Sequence, residues 1–266
     1  MAVPRVLTIA GSDSGGGAGI QADLKAIARA GGHGMSAITA LTAQSTVAVT
    51  GVHVVPPAFI VEQVRTVVED IGVDAVKTGM LGDVATIEAV LEALDIVPDG
   101  VPLVVDPVMV AESGAVLLAE DARATLVERL LPRATVVTPN VPEARALTGD
   151  DTSDIRTLAR AVRALGPAVA VVTGGHRERV VDTYFDGERL EEIQGERYAD
   201  GAAHGSGCTH ASALATFLAH GLTPLEAATK ARAIAAEAIR HGLREVGAGA
   251  GPVDALDVRE YDPRVS

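Results

Sequence analysis

Short apolar runs alternate along this chain with glycine- or proline-rich breaks and with stretches of helical spacing. Residues 6–10 form an apolar run that reads as a buried strand. A glycine-rich break follows at 11–17. Residues 18–30 then put Ile20, Leu24 and Ile27 on one face, with Gly31 as the stop, which predicts a helix. The alternation continues. Strands are expected at 35–41, 47–55, 75–80, 103–105, 135–138 and 169–173. Helices are expected at 58–71, 84–94 behind an N-cap at Asp83, 121–131, through Leu147 with Gly149 as stop, and 153–165. Residues 180–185 and 189–194 flank Asp186-Gly187, a hairpin signal that counts against a regular eightfold barrel. Two apolar helices close the pattern. One runs to about Ala219. The other opens on the capping box Thr223-Pro224-Leu225-Glu226 and runs to about Leu243. Strands alternating with helices in this way predict an α/β fold with a mostly parallel sheet.

Composition narrows the picture. The 266 residues fit one large α/β domain, read here as a single unit 1–266 without internal repeat or linker. Hydrophobic residues make up 48% and aromatic residues only 2%, so the core must be built from Ala, Val, Leu and Ile. A net charge of −13 argues against a nucleic-acid or anionic-membrane partner, yet leaves room for a local anion pocket. A single cysteine excludes an internal disulfide and suits a reducing cytoplasm. No signal peptide is expected, and no apolar run is long enough to span a membrane.

The chemistry concentrates in Ala203-His204-Gly205-Ser206-Gly207-Cys208-Thr209-His210-Ala211, a glycine loop feeding an apolar helical run. A helix start has unpaired N–H groups and a partial positive charge, and glycines let an anion come close. A thiol placed there is expected to ionise more easily than a free one. The stretch reads either as a phosphate site with a base beside it or as a tight turn holding a small buried thiol. Zinc at His204, Cys208 and His210 lacks a fourth ligand at structural-site spacing. Gly17-Ala18-Gly19-Ile20-Gln21-Ala22 matches a dinucleotide pattern, but no acid stands at 39–46, where the ribose partner should follow.

Other polar groups sit at predicted strand ends. Gln44 carries an amide able to pair with a heterocycle edge, or simply faces solvent. Lys77 lies inside a strand pattern, either at a sheet edge or turned toward a ligand. Asp106 ends an apolar strand where open α/β sheets bind ligands. Glu143 stands three residues after Asn140, the spacing of a capping box; it is also placed to share a Mg²⁺ with Asp106. Residues 111–118 read as a small-residue flap.

Five pieces occur in one order: the loop 11–19, Thr39-Ala40-Leu41-Thr42-Ala43-Gln44, Val76-Lys77-Thr78-Gly79-Met80-Leu81, Asp106-Pro107-Val108-Met109 with Thr138-Pro139-Asn140-Val141-Pro142-Glu143, and His204-Gly205-Ser206-Gly207-Cys208-Thr209. Together they resemble the hydroxymethylpyrimidine/phosphomethylpyrimidine kinases of thiamine biosynthesis, within the ribokinase-like superfamily. The resemblance runs from about residue 6 to 253. It implies a three-layer fold with helices on both faces of the sheet, a homodimer, and two successive ATP-dependent phosphorylations of 4-amino-5-hydroxymethyl-2-methylpyrimidine. It further implies that Gly11, Asp23, Gln44, Met80 and Val108 line the pyrimidine pocket. Asn140, Thr173, Gly174 and Gly175 would lie by the nucleotide, and Asp106 and Glu143 by Mg²⁺. Gly205, Gly207 and Cys208 would form the anion hole, with Cys208 near the attacking hydroxyl.

The chain departs from the family in three places. Thr173 stands where a lysine is common, which is expected either to lower the rate or to shift that role to Lys77 or Arg177. Ser206 replaces a threonine. The tail 247–251 lacks a usual histidine. Related enzymes with the same cysteine loop phosphorylate pyridoxal, the nearest rival activity. A ligand-binding regulator that has lost turnover is the rival of another class.

Overall fold

Among the described residues the apolar runs become strands of one nine-stranded sheet, and the valine-rich ones lie in its middle, because β-branched side chains pack well on a pleated surface buried on both sides. The structure, a computed structural model, describes residues 2–151, 154–174, 180–196, 198 and 202–260. The strands are β1 (Arg5–Asp13), β2 (His33–Gln44), β3 (Val49–Val54), β4 (Ala75–Thr78), β5 (Leu103–Val105), β6 (Val136–Val137), β7 (Val169–Val172), β8 (Val180–Phe185) and β9 (Leu190–Gly195). Their order is β3-β2-β1-β4-β5-β6-β7-β8-β9. The six strands from β2 to β7 run parallel. Only β3 and the β8–β9 hairpin are antiparallel.

Successive strand residues point to opposite faces, which builds two cores. Val6, Val104, Val136 and Val169 pack with α7 (Ser206–Ala219) and α8 (Pro224–Arg240). Leu7, Val105, Val137 and Ala170 pack with α2 (Pro57–Asp70), α3 (Val84–Leu94), α4 (Glu120–Thr125), α5 (Val141–Thr148) and α6 (Ile155–Ala164). Helix α1 (Gly19–Arg29) joins α7 on the first face. The three-layer architecture read from the sequence is therefore the one observed.

Helix 84–94 lies where expected, with the Asp83 carboxylate accepting from Thr86 N. Strand β2 runs on to Gln44 because β3 pairs along its end. The helix expected over 121–131 changes hydrogen-bonding pattern at Leu126, becoming a π turn and then a 3-10 turn around Pro132. Proline cannot donate and disfavours helix before it. Lys77 is not at a sheet edge: β4 is interior, between β1 and β5. The chain moves from β1 outward to β2 and then returns to β4 on the other side of β1. That reversal opens a crevice at the carboxyl ends of the parallel strands.

Candidate active site

The crevice holds a cavity of about 200 Å³. Gly11, at the end of β1, and Gln44, at the end of β2, line it together with Met80 and Val108. On the β5–β7 side it is walled by Asp106, Asn140, Glu143 and Thr173. Gly205, Gly207 and Cys208 close it from α7. Residues 180 or more positions apart in sequence thus share one space.

Helix α7 starts after Gly205, whose φ of 86° is the left-handed region that favours glycine. No side chain caps this helix and no acid sits in its first turn; Ser206 N donates to Ala203 O at 3.0 Å, which leaves the Gly207 and Cys208 N–H groups to face an anion. A side chain at Gly205 would run into the Gly17 carbonyl, and one at Gly17 into His204. Asp13 holds the junction. Its carboxylate accepts from the Gly15, Gly17 and Ala18 N–H groups and meets His204 Nε2 at 3.2 Å. Burial works against that charge, but the contacts with His204, Ala18 and Gly15 hold the carboxyl below its ordinary value.

Below the cavity lies a buried charge network. Lys77 Nζ donates to Asp23 Oδ1 at 2.8 Å and lies 3.6 Å from Asp106 Oδ2. Burial opposes the Lys77 charge. The negative charges around it, Asp23 foremost, outweigh burial and hold the ammonium above its ordinary value. Asp106 Oδ2 has no hydrogen-bond partner. Burial pushes the Asp106 carboxyl up, against Lys77 and with help from Asp23. Burial and then the Asp106 charge push Glu143 up as well. Glu143 Oε2 also accepts from Asn140 N while Asn140 Oδ1 accepts from Glu143 N, so the capping box is present too.

A profile of the phosphomethylpyrimidine kinase family matches residues 13–254. The chain belongs to that family. It is 47% identical to a hydroxymethylpyrimidine/phosphomethylpyrimidine kinase of Streptomyces coelicolor, over 94% of either chain. It is also 47% identical to a thiamine biosynthesis bifunctional protein of Geobacter sulfurreducens, and spans about half of that protein's length, 54%. Among solved structures, a Staphylococcus aureus pyridoxal kinase in complex with AMP-PCP and pyridoxal superposes with a TM-score of 0.87 at 34% identity, covering 98% of this chain and 97% of that one.

Three expectations for this chain need correction. Asp23 does not line the cavity. It is fully buried behind the wall, where Thr8 Oγ1 donates to it at 2.6 Å, Ser212 Oγ at 2.8 Å and Lys77 at 2.8 Å. A carboxylate with that many internal donors is used up by them. Cys208 is not primed for ionisation. Burial pushes its thiol up to about 12; the Lys77 charge opposes this, and Asp23 and Asp106 add to it. Desolvation and like charge outweigh the helix start in this kinase.

Gly174 does not line the cavity either. Its N–H donates to Asp182 Oδ1 behind Thr173. Gly175 and Arg177 lie outside the described residues. The flap expected at 111–118 folds as a turn beside the cavity, with Ala111 N donating to Ala115 O at 2.8 Å. Sequence reasoning missed Asp13 as a loop anchor and the buried group Asp182, His210 and Arg232. The available signal was a charge inside an apolar pattern: Asp182 within Val180-Val181-Asp182-Thr183-Tyr184, and Arg232 on an alanine-rich helix. Among the described residues no group of three or more His, Cys, Asp or Glu is placed to hold a metal. A cation here would rest on two carboxylates and the ligand's own oxygens.

Proposed function

We propose that this kinase uses ATP to phosphorylate 4-amino-5-hydroxymethyl-2-methylpyrimidine, then phosphorylates the monophosphate to the diphosphate, in thiamine biosynthesis. The carrying observation is one small cavity that joins the uncapped start of α7 to Glu143 and to Asp106, whose Oδ2 has no hydrogen-bond partner. The Streptomyces relative bears that activity in its name. The Staphylococcus structure was solved with an ATP analogue, which supports ATP as the phosphoryl donor. In this reading residues 1–266 act as one kinase domain in the cytoplasm. Among the described residues no helix is long and apolar enough to cross a membrane.

Mg²⁺ fits the residues present. Asp106 Oδ2 is buried without a hydrogen-bond partner, and burial and then the Asp106 charge raise the affinity of Glu143 for a positive charge. Asp106 and Glu143 would hold the ion, directly or through water, and its charge would offset that of the phosphates. The α7 N–H groups then cradle the transferred phosphoryl group while Gln44 reads the ring nitrogen and amino group of the pyrimidine. Asn140 and Thr173 sit on the wall assigned to the nucleotide. With its thiol protonated, Cys208 hydrogen-bonds and positions the attacking hydroxyl rather than removing its proton.

This assignment of Cys208 has a measurable size. Cys208→Ala is expected to lower turnover about tenfold, one hydrogen bond's worth. A loss of about 10²–10⁴ would restore the general-base role. Single-turnover rates at saturating ATP make the measurement.

Glu143→Gln separates metal binding from capping, because the glutamine oxygen can still accept from Asn140 N. A carboxyl raised in the folded state contributes stability present below its ordinary pKa of 4.5 and lost as pH rises through about 8. The ligand-free melting temperature should therefore fall across that window in wild type and fall less in the variant. The variant should also lose its thermal response to added Mg²⁺ at pH 8.5. An unchanged Mg²⁺ response removes Glu143 from the metal site.

The rival reading, pyridoxal kinase, rests on the fold likeness. ADP release measured with the hydroxymethylpyrimidine, its monophosphate and pyridoxal in turn decides between them. Turnover on pyridoxal alone overturns the proposal, and ligand binding without ADP release favours a regulator. A homodimer also belongs to this reading. Edge strand β3 leaves Val52 and Val54 exposed beside Leu41, and sedimentation analysis checks the assembly.

A further inference from the structure

We propose that Asp182, Arg232 and His210 form a buried clamp that positions the Thr173–Gly174 segment at the end of β7, and through it the nucleotide. The inference rests on the reading above that this segment lies by the nucleotide. Asp182 comes from β8, His210 from α7 and Arg232 from α8, and all three reach the cavity wall. Asp182 is fully buried, His210 is 3% exposed and Arg232 7%.

Asp182 Oδ1 accepts from Gly174 N at 3.0 Å. Asp182 Oδ2 lies 3.7 Å from Arg232 Nε and 3.8 Å from His210 Nε2, too far for hydrogen bonds. That oxygen, Arg232 Nε and both His210 ring nitrogens have no hydrogen-bond partner. Burial pushes the His210 imidazole below its ordinary value, so the cluster is an Asp–Arg ion pair beside a neutral ring.

As a device for stability this cluster is poor. Buried ion pairs often stabilise no better than apolar residues of the same volume, and unpaired buried polar atoms are unfavourable. The chain nevertheless makes room for it. A side chain at Gly195 on β9 would run into the Arg232 guanidinium, and one at Gly174 into the Val181 carbonyl. The Thr173–Gly174 segment is fixed from its other side as well, since Thr173 N donates to Pro139 O at 2.8 Å. Thr173 is thereby tied to the segment that carries Asn140 and Glu143. Among the described residues, Asp182 is the side chain that accepts from Gly174 N. It is a positioning residue that acts through that backbone N–H, with the Arg232 charge facing its other oxygen and the His210 ring packed beside them.

The test uses Asp182→Ala, Asp182→Asn and the double variant Asp182→Ala/Arg232→Met. Each is read by calorimetric binding of a non-hydrolysable ATP analogue, by separate KM values for ATP and the pyrimidine, and by melting temperature. Asp182→Ala should weaken analogue binding and raise the ATP KM about tenfold. The pyrimidine KM should stay within about twofold of wild type. Asp182→Asn keeps an acceptor for Gly174 N and should recover most of the nucleotide affinity. It leaves Arg232 without a counter-charge, so its melting temperature stays low. The double variant should regain melting temperature but not nucleotide affinity.

If the double variant regains both, or if Asp182→Ala binds the analogue like wild type, the clamp is only structural. Should Asp182→Ala fail to fold, the double variant decides alone. Wild-type protein that binds the analogue but does not phosphorylate the pyrimidine overturns the function and leaves the clamp to stand on calorimetry. Wild-type protein that binds no nucleotide overturns both.

Discussion

Lys77→Met is expected to lower the unfolding free energy of the ligand-free protein by about 3–5 kcal/mol, the usual loss when one partner of a buried ion pair is removed. Lys77 is fully buried and faces Asp23 at 2.8 Å and Asp106 at 3.6 Å. Without it two acids share a desolvated space with no counter-charge. Thr8 and Ser212 still donate to Asp23, but neutral hydroxyls offset only part of a charge. The variant's stability should also become more pH-dependent, since Asp106, already pushed up to about 6 by burial, loses the Lys77 charge that opposes the rise; the contribution is lost as pH rises through that value and above. Urea denaturation at pH 6 and pH 8 measures both effects. A loss under about 1 kcal/mol at pH 8 would mean that the acids find other partners. Adding Asp23→Asn should recover part of the loss, because it removes one of the two stranded charges.

Gly205→Ala should reduce turnover by about 10²–10³, the range seen when a preorganised anion donor is displaced. The φ of 86° disfavours any side chain, and the new methyl would strike the Gly17 carbonyl. Both loops must then shift and the first N–H groups of α7 lose their aim. Gly207→Ala is the matched control. A methyl there meets no protein atom within 4 Å, so it crowds only the ligand. If the two variants lose turnover equally in steady-state kinetics at saturating substrates, crowding rather than loop geometry explains the loss.

The layered α/β architecture was legible because period-2 and period-3.6 patterns carry it directly. Residues 6–10, 103–105 and 169–173 have no other reasonable reading than buried strands. Local caps at Asp83, Asn140 and Thr223 could be read for the same reason, since a cap involves only a few neighbouring residues. The rim of the cavity was legible as strand-end positions, and Gln44, Asp106 and Glu143 all come to it. What escaped was depth. Nothing local in the sequence says that Asp23 is consumed by Thr8, Lys77 and Ser212, or that burial around Cys208 overwhelms its helix start. Both depend on partners brought from far along the chain, as does the meeting of Asp182 with Arg232.

The contact between Asp13 and His204 joins residues 191 positions apart, and Gly205 seats against Gly17 across the same join. The strands that lead to Gln44, Asp106 and Glu143 can all pair before that join exists. The phosphate-holding end cannot, because it is made from the first loop of the chain and one of its last helices. Contacts of such separation form late in folding. A growing polypeptide would therefore own every acidic residue of the site well before it could retain an anion. Binding competence then marks the arrival of the final quarter of the protein, and a truncation ahead of α7 leaves a folded-looking sheet with nothing to grip.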